Sequence, residues 1–135
     1  MSETREAIGL IADRYFLPIA QALLEVIGAQ AGRPGGSPML CCSGILLREQ
    51  VVAAVAEADP TFRLTVADAR VASPPPSEPF EDLATDTLHA AAERYVDGLS
   101  EALGVDLRAG ALGDLVADML VALADHESRR ALFAP

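Results

Sequence analysis

Residues Ser37–Ala72 read SPMLCCSGILLREQVVAAVAEADPTFRLTVADARVA, and whether this stretch holds a sheet decides the fold. Leu47, Val51, Ala54/Val55 and Ala58 share one helical face, so Leu46–Ala58 is predicted as a helix that Asp59-Pro60 ends. Met39–Ser43 is a short apolar run. It suits a buried strand or the first turn of a longer helix equally well, because periodicity does not separate the two at that length. Phe62, Leu64 and Val66 alternate with Thr61, Arg63 and Thr65, the signature of a half-buried strand. Residues 39–67 therefore have the order of a minimal βαβ unit, with no third strand in sight.

On the N-terminal side, Ser2–Gln30 reads as a helix capped by Ser2, with Glu3 and Glu6 at the positive end of its dipole. Ile8, Ile11, Tyr15, Ile19, Leu23 and Val26 form one stripe. Leu10, Phe16, Leu17, Leu24 and Ile27 lie off it, so this helix is expected to be buried on more than one side, the second facing another subunit. Pro18 removes one ladder donor, which predicts a kink or two shorter helices. Gly32–Pro38 reads as a seven-residue surface loop.

On the C-terminal side, Ser73–Pro79 is a proline-rich spacer expected to be extended. Phe80–Leu103 carries the stripe Phe80, Leu83, Thr87, Ala91, Tyr95, Leu99 and Ala102, with Gly104 as its C-cap. Asp106 is expected to cap a last helix to about Arg130, with Leu112, Leu115, Val116, Met119, Leu120 and Leu123 facing inward. Ala131–Pro135 is an apolar tail that either docks on the core or reaches a neighbour.

These readings predict a single domain over residues 1–135, mainly α. Its form is a four- to five-helix bundle-like domain with at most a small two-stranded β element. The alternative is a small α/β layer around a βαβ unit at 39–67. Aromatics are 4% of the residues and Trp is absent, so the core has to be Leu, Val, Ile and Ala. The chain has neither Lys nor Asn, whose codons are AT-rich, which fits a GC-rich bacterial genome. Its formal charge of -10 repels phosphate backbones and anionic lipid, so neither nucleic acid nor membrane is expected as a partner. The apolar windows 8–27 and 111–124 carry Asp13, Arg14 and Glu25, and Asp114 and Asp118, at mid-segment. Those charges weigh against a bilayer span. Adjacent cysteines make no disulfide framework, so a reducing cytoplasmic compartment is expected.

Two constellations bear on chemistry. Cys42 and Arg48 are separated by five residues, between the first strand candidate and the helix. Cys42-Ser43-Gly44-Ile45-Leu46-Leu47-Arg48 resembles the phosphate loop of low-molecular-weight protein tyrosine phosphatases and related arsenate reductases. Ile45 and Glu49 replace that family's asparagine and serine. The resemblance implies Cys42 as nucleophile and Arg48 as the clamp on the oxyanion, in a loop of inward-pointing amides. The second is the polar face Asp82, Asp86, His89, Glu93 and Asp97, in which Asp86 and His89 have the spacing of a carboxylate–histidine pair in a helical metal site. No dinucleotide, P-loop, serine-hydrolase or zinc motif is present, and no cofactor is expected. The leading expectation is a non-enzymatic protein–protein interaction module (an accessory subunit, adaptor or regulator) that is homodimeric and acidic, with a partner of basic surface as the complement. The alternatives are the Cys42–Arg48 enzyme and a helical metal-binding protein.

Overall fold

The computed structural model describes residues 2–31, 38–74 and 78–133, with side chains described for 3–28, 43–74 and 78–129. Five α-helices lie among the described residues: α1 (Ser2–Ala31), α2 (Pro38–Ala58), α3 (Val66–Val71), α4 (Thr85–Leu103) and α5 (Leu112–Phe133). Among those residues there is no strand, and the domain is a helical bundle.

The axis of the bundle is α1, which packs against each of the other four helices. That explains its wide apolar circumference. Ile8, Ile11, Phe16, Leu23 and Ile27 are all buried although they leave its surface in different directions. The bundle itself covers much of the second apolar side, burying Phe16 and Ile27, and Leu17 is the one large apolar residue of α1 that stays exposed among the described residues. The helix continues through Pro18 rather than dividing in two. It is also long and apolar enough to cross a membrane by length and composition, yet 56% of its apolar window lies buried in the bundle.

The stretch that decides the fold is helical from its start. Met39–Ser43 forms the first turns of α2, so the strand reading of that run is corrected. The second predicted strand is also corrected. Phe62, Leu64 and Val66 do turn inward and Thr61, Arg63 and Thr65 outward, but no strand pairs with them. Instead the segment lies across the N-terminus of α1. The Leu64 amide donates to Thr4 Oγ1 at 3.4 Å and the Val66 amide to Glu3 Oε2 at 3.2 Å. Side-chain acceptors stand in for a neighbouring strand, which satisfies the backbone without a sheet. Thr65 Oγ1 then accepts from the Asp68 amide and starts α3.

Gly104 closes α4 as expected, at φ +69 in the left-handed region that glycine alone adopts without strain. The start of α4 differs. Phe80–Ala84 is irregular, and Asp82 Oδ1 accepts from the Ala84 amide at 3.0 Å and from Thr87 Oγ1 at 2.6 Å. These hydrogen bonds hold the Asp82 carboxyl below its ordinary value. Asp106 does not cap α5. It accepts from the Arg108 amide within the connecting loop, and α5 begins at Leu112. Residues 32–37 of the predicted Gly32–Pro38 loop, the centre of the proline spacer at 75–77 and the tail residues 134–135 lie outside the described residues, while Pro38 begins α2.

Candidate functional site

The loop expected between Cys42 and Arg48 is a continuous stretch of α2, so the amides between the two positions run along a helix. Six helical residues also set the two positions about 120° apart around the axis. The side chain of Cys42 lies outside the described set. Arg48 is engaged elsewhere, since its Nη2 donates to Asp13 Oδ2 at 2.7 Å. That carboxylate raises the guanidinium above its ordinary value, chiefly through this hydrogen bond. The Arg48 stem lies over Gly9, which presents no side chain there.

Asp86 and His89 both stand on the exposed face of α4. Among the described residues no three His, Cys, Asp or Glu side chains gather where they could share a metal ion. His126 is exposed as well. Its Nε2 lies 3.7 Å from Oε2 of Glu127, a carboxylate that the bundle buries.

Two surfaces stand out once these are placed. The first is on α1 and α2. Leu17 and Ile45 are 49% and 59% exposed, whereas Leu23, Leu47, Val51 and Val55 of the same helices are fully buried; Leu46, also exposed, lies about 160° around α2 from Arg48 and so on the flank away from α1. The helices run antiparallel, so one turn beyond the Asp13–Arg48 pair brings Leu17 alongside Gly44 and Ile45. Toward the other end of the pair, Arg5 and Glu49 bridge the same two helices. The face therefore passes from neutralised charge to bare apolar side chains.

The second surface is a cleft of about 210 Å³ between α1, α4 and the spacer, walled by Tyr15, Pro18, Pro74, Phe80, Tyr95 and Gly98. Both tyrosine hydroxyls are spent inside the fold. Tyr15 donates to the Ser73 carbonyl and Tyr95 to the Ala12 carbonyl, each at 2.9 Å. Tyr95 also stands edge-on to Phe16, ring centres 5.8 Å apart. Burial pushes the Tyr95 hydroxyl far above its ordinary value and raises that of Tyr15 as well. The cleft thus shows mainly ring and proline surface, with Glu78 and Arg94 at its margin. None of Pro18, Pro74, Glu78 and Arg94 carries a sequence signal for a site. They come together because α1 packs on α4 and because Arg14 and Tyr15 hold residues 69–73 against α1. No protein family, curated protein or solved structure matches this chain.

Proposed function

We propose that this chain is a non-enzymatic helical interaction module of the cytoplasm that pairs with a second copy of itself through the exposed face of α1 and α2. The observation that supports the reading is the exposure of Leu17 on α1 and Ile45 on α2, large apolar side chains left in water beside helices that bury most of their other apolar residues. A face of this kind is stabilised when a partner covers it, by roughly 25 cal/mol for each Å² of apolar area removed from water.

Charge favours a copy of the same chain at this face. Two chains of formal charge -10 repel each other over most of their surfaces. Here, however, Asp13 and Glu49 are already paired with Arg48 and Arg5, so the repulsion is least. A basic partner would find these two carboxylates engaged, and would be drawn to the remaining acidic surface. The helical backbone over residues 42–48 favours this reading over a thiol enzyme.

Light scattering on a sizing column tests the reading. The wild type is expected at twice the chain mass of 14.1 kDa, and Ile45→Glu at the single mass with an unchanged circular dichroism spectrum. A wild type that stays at the single mass at high concentration overturns it.

A further inference from the structure

We propose that the cleft between α1 and α4 is a binding site for a small zwitterion with an apolar body, the simplest being a free apolar α-amino acid. The proposal does not depend on self-association, since it rests on the cleft's own lining. Three observations carry it. The first is size. A cavity of about 150 Å³ holds benzene, so the 210 Å³ here holds one leucine- or phenylalanine-sized side chain. The second is lining. Tyr15, Phe80 and Tyr95 offer ring surface and Pro18 and Pro74 offer saturated rings. With both tyrosine hydroxyls committed to backbone carbonyls, the interior takes an apolar group.

The third is charge. Arg94 and Glu78 both border the cleft, and neither has a hydrogen-bonding or ion-pair partner among the described residues. Most other described arginines are engaged. Arg5, Arg48, Arg108 and Arg129 meet carboxylates, and Arg14 meets backbone carbonyls. An unpaired guanidinium in an acidic chain, beside an apolar cleft, is complementary to a carboxylate that it binds through two parallel N–H donors. Glu78 would repel a plain carboxylate. It complements a ligand that also bears an ammonium group, and together the two residues match a molecule of no net charge.

Ligand-detected NMR titration of the full chain with L-leucine and L-phenylalanine, their N-acetyl derivatives and their amides tests this. The free amino acids are expected to bind, and each blocked form to bind about tenfold more weakly, the effect of one charge-assisted contact. Arg94→Gln should erase the preference over the amide, and Glu78→Gln the preference over the N-acetyl form. Arg70→Gln, equally exposed and away from the cleft, should change nothing. Both cleft variants alter exposed, unpartnered side chains, so folding is preserved and is checked by circular dichroism. No binding at about 10 mM, a weak limit, overturns the proposal. So does equal binding of free and N-acetylated forms, or an Arg94→Gln variant that behaves as wild type.

Discussion

Arg14 Nη1 donates to the carbonyl of Ala72 at 2.8 Å, across 58 residues of chain. The same nitrogen reaches the carbonyls of Ala69 at 3.1 Å and Arg70 at 2.7 Å. A cation thus closes the C-terminal end of α3, where orphan carbonyls and the helix dipole both favour it. Six residues are too few to hold a helix unaided, so α3 depends on this contact and on burial of Ala69. Arg14→Gln is expected to destabilise the fold by about 1.5–3 kcal/mol, the range for hydrogen bonds to a charged group. The urea midpoint measures this, and amide exchange should quicken across residues 66–72. An unchanged midpoint with full protection there contradicts the role.

The same contact explains what the sequence did and did not show. Long amphipathic segments were legible because their periodicity reports burial directly. Ala91, Tyr95 and Leu99 of α4 and Leu112, Val116, Leu120 and Leu123 of α5 are buried, as helical spacing requires, although Leu88 rather than the expected Thr87 fills the first turn. Residues 62–66 were misleading for a physical reason. Alternation reports only that alternate side chains turn inward, and Thr4 and Glu3 supply the hydrogen bonds that a strand would have supplied. The cleft was not legible at all, because it joins Pro18, Glu78 and Arg94 from distant parts of the chain.

Two glycines should respond with opposite sign. Gly44 lies inside α2 with nothing within 4 Å of an added Cβ, so Gly44→Ala should stabilise the protein by about 0.5–1 kcal/mol. Gly104 has φ +69, so Gly104→Ala should cost about 1–2 kcal/mol despite open space around it. Thermal unfolding of both variants checks the pair. A destabilised Gly44→Ala would argue for a loop at 42–48.

Tyr95 makes stability fall at high pH. Its hydroxyl is raised when folded, while in the unfolded chain it titrates near 10. The stabilisation is whole below pH 10. Above it the unfolded state loses a proton that the folded state keeps, and stability drops by about 1.4 kcal/mol per pH unit for this group. Tyr95→Phe should lose about 1 kcal/mol at neutral pH with the hydrogen bond to Ala12, and should fall less steeply above pH 10. Denaturant titrations from pH 8 to 11 measure both effects. Parallel slopes for the two proteins would show that Tyr95 is not the group responsible.

Gly9 sets the geometry of the Asp13–Arg48 pair. A Cβ at position 9 would come within 2.7 Å of the Arg48 Cδ, so Gly9→Ala must swing that side chain aside. Both partners are half-exposed, and a double-mutant cycle with Asp13→Asn and Arg48→Gln should give about 0.2–1 kcal/mol of coupling. In a Gly9→Ala background the coupling should vanish. Equal coupling in both backgrounds would mean that the close approach is not what holds the pair.

The exposed α1–α2 face is the centre of the functional account, and a spin label locates its partner most directly. In a Cys41→Ala/Cys42→Ala background, a nitroxide on Ile45→Cys should show dipolar coupling between copies. The same label on Glu93→Cys, an exposed position of α4, should show weaker coupling. Dilution with unlabelled chain should remove the coupling at position 45. Absence of coupling at 45, or coupling as strong at 93, would contradict pairing through this face.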